Sequence, residues 1–164
     1  MTDASEVVRW AVKRQPTSHC RMSRVLIHRE LSERLIGAFY EVYDVHGFGF
    51  TEMVYVNSLA IALRSRGLLH DREVPVQVRF RGQVVGDFRA DFIVEQKIIV
   101  ECKTAAAIHP AHERQLLNYL AASRFRIGYV LNFGPKPEFR RFVMTYRLTG
   151  RNGQGVDIER TADP

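Results

Sequence analysis

Asp91, Glu101 and Lys103 are the residues whose types and spacing point to chemistry. Glu101 and Lys103 stand two apart in the apolar run Ile98-Ile99-Val100-Glu101-Cys102-Lys103, and side chains two apart on a strand share a face. Asp91 belongs to the alternating run before it. If the two runs form a hairpin about Gln96, Asp91 falls opposite Glu101, Arg89 opposite Lys103 and Phe92 opposite Val100. A two-residue Glu95-Gln96 loop would set Asp91 against Val100 and mix polar with apolar residues on both faces, so the hydrophobic pattern selects the loop centred on Gln96.

Residues opposite each other on paired strands lie about 5 Å apart. Two carboxylates at that spacing repel, and a divalent cation turns the repulsion into binding. Hard oxygen ligands suit Mg²⁺ or Mn²⁺. Lys103 alongside can steady an attacking water or the charge on a phosphate. Metal, water and cation beside a phosphodiester make a hydrolysis site. A lone Glu-x-Lys on a strand is more commonly an exposed charge pair; the aspartate in matched register shifts the reading toward function.

The elements that must hold these residues follow from periodicity. Apolar residues at three- and four-residue steps (Leu31, Leu35, Ile36, Phe39, Tyr40, Tyr43) predict a helix over 24–45, broken by Gly47 and Gly49. A second helix is expected over 51–65, with Thr51 as N-cap, Gly67 as its close, and Val54, Leu59, Ala62 and Leu63 buried. The period then drops to two. Val74, Val76, Val78 and Phe80 alternate with mostly polar residues over 73–80, and Arg81-Gly82 makes a turn. Pro75 places this strand near an edge.

Over 83–94, Val84, Phe88, Ala90, Phe92 and Val94 are expected on one face, with Asp87, Arg89 and Asp91 on the other. A third strand covers 97–103, with Ile98, Val100 and Cys102 on one face. A helix over 110–123 buries Leu116, Leu117 and Leu120, with proline in its first turn. An apolar strand follows over 127–133, and 139–148 fits either a strand or a helix. The expected architecture is α/β: a helix, three antiparallel strands, a crossover helix and a further strand, giving a mixed central sheet flanked by helices. Residues 1–23 read as a tail, or as an extension upstream of a start at Met22; 24–149 read as one domain, and 150–164 as a loose C-terminal tail.

Composition narrows the function classes. The chain has 164 residues, 46% of them hydrophobic, enough to bury a real core. No apolar run approaches the length of a membrane span. No basic start followed by an apolar core marks a secretory signal. The two cysteines, Cys20 and Cys102, have no zinc spacing, and a reducing, cytoplasmic setting is expected. The net charge of +6 favours anionic partners, nucleic acid foremost. However, only four of the 24 basic residues are lysine, a skew that genome base composition also produces. No Ser-His-Asp arrangement or glycine-rich phosphate loop is evident. His109 and His112 lie near the expected site, where they can touch metal or phosphate, but they read better as helix-start surface histidines.

At these residues the chain resembles the PD-(D/E)XK nuclease superfamily: Asp91, Glu101, Cys102 and Lys103 stand where its D…(D/E)xK motif would. It is more closely similar to the bacterial family called GxxExxY proteins. Gly49-Phe50-Thr51-Glu52-Met53-Val54-Tyr55 matches that name residue by residue. Arg89-Ala90-Asp91-Phe92 and His112-Glu113-Arg114-Gln115-Leu116-Leu117-Asn118-Tyr119-Leu120 resemble its shared segments, over roughly 25–143 in all. The superfamily's proline before the aspartate is Ala90 here.

The resemblance implies an αβββαβ core and a metal held by Asp91, Glu101 and the backbone carbonyl of Cys102, with Lys103 as the catalytic lysine. It also implies Glu52 as the helical acid completing the metal site, although a first-turn glutamate is equally favoured by the helix dipole. Gln115 and Tyr119 match a QxxxY element of RecB-like branches and, four apart on one helix face, can reach the site or the DNA backbone. The functional expectation is a Mg²⁺- or Mn²⁺-dependent nuclease acting on DNA, with Arg89 and arginines such as Arg64, Arg66, Arg79 and Arg81 along the DNA track. The alternatives are a non-catalytic module binding nucleic acid or protein on the same fold, and a subunit active only within a homo-oligomer or larger complex.

Overall fold

The computed structural model describes residues 28–149 and 153–162. The predicted N-terminal segment 1–23 lies outside the described residues. The chain runs α1 (Arg29–His46), α2 (Glu52–Ser65), β1 (His70–Phe80), β2 (Gln83–Val94), β3 (Ile98–Lys103), α3 (Pro110–Ala122), β4 (Ile127–Phe133), β5 (Pro137–Thr149) and β6 (Gly153–Ala162). The strands form one six-stranded sheet in sequential order. Only the β3–β4 pair is parallel among them. Parallel neighbours need a crossover, and α3 supplies it. The fold is therefore the mixed α/β arrangement that the periodicity predicts. Among the described residues, no helix is long and apolar enough to cross a membrane.

Two apolar layers sandwich the sheet. On one face α1 and α2 bury Leu35, Phe39, Tyr55, Leu59 and Leu63 against Phe92, Val94, Ile98, Val100 and Cys102. On the other, α3 buries Leu116, Tyr119 and Leu120 against Ala90, Ile93, Ile99 and Val130. Strand β4 is buried at every position, as a central strand covered on both faces must be. The β2–β3 register is the one selected by the hydrophobic pattern: Phe92 pairs with Val100 and Val94 with Ile98. Glu95 and Gln96 make the turn at φ of 51° and 53°. Strand β1 is an edge strand, where Pro75 is tolerated.

Two expectations are corrected, and one left open between strand and helix is decided. Within the expected loose tail, Gly153–Ala162 is a strand that pairs with β5 along its length. Antiparallel pairing is made by the backbone and does not require an apolar strand. Residues 139–148 lie within the strand β5. Finally, the expected single face of β2 is broken. Ala90 packs with α3 while Phe92 packs with α1 and α2, so the strand changes sides at Asp91. Farther out, Phe80, Val84 and Phe88 are 62%, 44% and 38% exposed. The β1–β2 ribbon is longer than the six-residue β3, and its outer half overhangs the layers.

Candidate active site

The change of sides in β2 creates the site. Cross-strand pairing of β2 with β3 ends at Phe92–Val100. Pairing with β1 skips from Arg72–Phe92 to Val74–Ala90 around Glu73, which sits at φ 51°. Asp91 thus has no backbone partner on either side in these ladders. Its side chain takes over: Oδ2 accepts the Cys102 N–H at 2.7 Å. The N–H and C=O of one residue in a strand point to the same neighbour, so the Cys102 carbonyl is also turned toward the Asp91 side. The Cys102 thiol is buried in the opposite apolar layer, and burial pushes it well above its ordinary pKa.

Glu101, 3% exposed, lies on the α3 face of β3. Its Oε1 accepts two hydrogen bonds, from Lys103 Nζ at 2.7 Å and from Gln115 Nε2 at 2.7 Å. Its Oε2 is buried without a hydrogen-bond partner. Burial, reinforced by the charge of Asp91 and only partly offset by Lys103, lifts the Glu101 carboxyl to about 7. Asp91 is raised by burial against the opposing pull of the Cys102 N–H and Lys103. Burial pulls Lys103 down, but its bond to Glu101 and the surrounding carboxylates outweigh this, so its pKa is raised.

Glu52 opens α2 and reaches the same charges. Burial raises its pKa, Lys103 lowers it and Asp91 raises it. The fold thus brings Asp91, Glu101, Lys103 and Glu52 into one electrostatic group. Among the described residues, no three His, Cys, Asp or Glu side chains close into a ready metal cluster. The donor set nonetheless suits a hard cation. Lys103 occupies Glu101 Oε1, while the buried Oε2 keeps a free lone pair within reach of the Asp91 charge, which is what a hard cation binds.

Gln115 and Tyr119 both reach the site rather than the outside. Gln115 divides its amide hydrogens between Glu101 and the Tyr119 hydroxyl, 2.6 Å away. That hydroxyl donates to the Arg89 carbonyl at 3.1 Å, and Tyr119 is only 2% exposed. Tyr119 therefore clamps the backbone just before Asp91. Arg89 stays on the exposed rim, 3.8 Å from Glu73. Arg64 and Arg66 do not belong to this rim. They end α2 while Glu52 begins it, about 18 Å away along the axis, and Arg66 is paired with Glu41. His109 and His112 cap α3: each offers Nδ1 to a backbone N–H, of Ala111 and His109 respectively.

Two supporting residues have no predicted role from sequence. Asn132, fully buried, grips the segment after Lys103, accepting from Ala105 N–H and donating to Ala105 O, both at 2.9 Å. Its signal was present as the single amide in the apolar run Ile127-Gly128-Tyr129-Val130-Leu131-Asn132-Phe133. Gly134 lets that segment come close, since a Cβ there would meet the Ala105 carbonyl oxygen. Asn132→Leu should lower stability by about 2 kcal/mol, as a buried polar contact is lost from both its partners. Urea titration checks this, and a loss below about 0.5 kcal/mol would make the clamp dispensable. Tyr55 is the other supporting residue, its hydroxyl tying down the α1–α2 turn.

A family model described as the PD-(D/E)XK nuclease superfamily matches residues 29–142. Among solved structures, that of SSO0001 is similar at 16% identity and a TM-score of 0.42, covering 68% of this chain and 76% of its own. No curated protein matches the chain.

Proposed function

Because the chain belongs to the PD-(D/E)XK nuclease superfamily, we propose that it is a metal-dependent nuclease that hydrolyses DNA phosphodiester bonds in the cytoplasm. The observation that carries this reading is the buried, unpartnered Oε2 of Glu101, in a group with Asp91 and the Lys103 ammonium. A non-catalytic module has no use for a buried carboxylate with a raised pKa and an unused oxygen, whereas a cation site does.

In this reading Asp91, Glu101 and the Cys102 carbonyl hold Mg²⁺ or Mn²⁺, and Glu52 completes the set from the helix side. The bound ion supplies an activated water and charge neutralisation at the phosphate. The chain's own residues do the rest. Lys103 keeps its proton, its pKa raised, and offers a fixed positive charge to the phosphate oxygens. Gln115 holds Glu101 Oε1 in place, leaving Oε2 for the ion. Tyr119 fixes the carbonyl of Arg89 and thereby the start of the Asp91 kink. Arg89, with Arg79 and Arg81 on the β1–β2 ribbon, is exposed and suits phosphate contacts.

The finer assignment to the GxxExxY proteins is supported by the separate task each of its named residues performs. Gly49 adopts φ 118° in the turn, Glu52 joins the carboxylates and Tyr55 pins the turn.

Purified protein incubated with linear, circular and single-stranded DNA tests the function. Cleavage should occur with Mg²⁺ or Mn²⁺ and cease in EDTA. Cleavage that persists in EDTA, or that fails with every DNA form and both ions, sinks the proposal.

A further inference from the structure

The turn from α1 to α2, Gly47-Phe48-Gly49-Phe50-Thr51, holds apolar side chains in solvent just before Glu52 in the chain. Phe48, Phe50 and Met53 are 61%, 52% and 56% exposed. Neighbouring exposed apolar groups of this size mark a surface that something covers. The turn is also built rather than slack. Tyr55, fully buried, accepts the Phe50 N–H at 3.3 Å and donates its hydroxyl to the Gly47 carbonyl at 2.9 Å. Its ring stacks on Phe133 at 4.7 Å. The edge of His46 meets Phe50 at 5.6 Å, while its Nε2 lies 2.8 Å from Ser58 Oγ. Gly47 and Gly49 take φ of 62° and 118°, which side chains with a Cβ avoid. The backbone is fixed from inside, and the rings point out.

We infer that this turn is a stacking platform for unpaired bases of a nucleic-acid strand whose backbone passes Glu101 and Lys103. The inference rests on the nuclease reading. Position carries it: Glu52, a member of the carboxylate group, is two residues from Phe50 and one from Met53. On this inference a strand attacked at the carboxylates lays its neighbouring bases over these side chains. Every base offers a π-face, so stacking on aromatic rings is tolerant of sequence. The net charge of +6 favours a polyanion over an apolar protein segment. The exposed tip of the β1–β2 ribbon lacks this continuity, since Val84 lies about 23 Å along β2 from Asp91.

Fluorescence anisotropy of the full chain in EDTA, with a labelled single-stranded oligonucleotide and its blunt duplex, tests the platform without cleavage. Phe48→Ala with Phe50→Ala should weaken single-strand binding at least about tenfold and duplex binding less than about threefold. Each lost base stack is worth about fivefold or more, equivalent to about 1 kcal/mol. Phe48→Trp with Phe50→Trp should retain binding. Phe48→Leu with Phe50→Leu, apolar but without a π-face, should lose it, and comparing these two pairs decides the matter even if the alanine pair melts early.

A leucine pair that binds like wild type overturns stacking, and equal losses on single strand and duplex overturn the preference for unpaired bases. A wild-type dimer that becomes monomeric in the alanine variant, by sedimentation, means a second copy covers the patch and also overturns the inference. Cleavage by wild type with undiminished single-strand binding by the alanine pair removes the platform and leaves the nuclease standing. A wild type that neither cleaves nor binds removes both.

Discussion

Glu101→Ala is expected to abolish cleavage, lowering the rate by at least about 10³-fold, because it removes the carboxylate proposed to hold the ion and the anchor of Lys103. Lys103→Ala should lower the rate by about 10²-fold or more while leaving ion binding largely intact, since it removes a charge at the phosphate and no ligand. The two variants therefore separate ion binding from charge stabilisation. Titration calorimetry with Mn²⁺ should show binding lost in Glu101→Ala and kept in Lys103→Ala, alongside single-turnover cleavage of linear DNA. Loss of Lys103 also relieves the Glu101 Oε1 of one partner, so ion affinity should be no weaker than in wild type. Equal cleavage by wild type and both variants would remove these residues from the reaction.

The same geometry explains how much of the site is legible in the sequence. Strand register follows from the period-two pattern because one residue of slip would bury Asp91 and expose Phe92. That constraint brings Asp91 against β3, where its carboxylate meets the Cys102 N–H. It could not reveal that the ladder ends one pair earlier. Whether a strand keeps its sides depends on local backbone angles at Glu73 and Asp91, and alternation carries no signal for them. The same gap explains Ala90, expected beside Phe92 and found in the opposite layer.

Tyr119 illustrates another limit. Helical spacing placed it with Gln115, but only packing decides whether a tyrosine hydroxyl faces solvent or closes a buried bond. Charge alone groups Arg64 and Arg66 with the hairpin arginines, and the direction of α2 separates them. Ribbon overhang was equally illegible, because alternation marks which face is apolar and not how far the covering helices extend.

Metal-free protein should lose stability as pH rises from about 4.5 to about 7 and then level off, with Glu101 as the cause. Its carboxyl titrates near the ordinary 4.5 in the unfolded chain and at about 7 in the fold. Below both values the group is neutral in both states and burial is not penalised. Between them the unfolded chain releases the proton while the fold retains it, so the folded state is progressively disfavoured. Above about 7 the penalty is complete, on the order of 3 kcal/mol for a shift of this size. Asp91 and Glu52 are raised as well and add to the same slope.

In EDTA, Glu101→Gln should therefore melt roughly 10 °C above wild type at pH 8 and close to it at pH 4.5, at about 2–4 °C per kcal/mol. Mg²⁺ should reverse the order. An ion bound to the ionised carboxylate stabilises wild type at pH 8, does so weakly at pH 4.5 where protons compete, and does little for the glutamine variant. Differential scanning fluorimetry of both proteins, with EDTA and with Mg²⁺ at each pH, checks all four corners. If the EDTA difference between them stays constant across pH, the stability cost does not lie in ionising Glu101. If it grows with pH but Mg²⁺ leaves it unchanged, the charge is buried for something other than a cation. Only a difference that grows with pH in EDTA and is closed or reversed by Mg²⁺ ties the destabilised carboxylate to the ion.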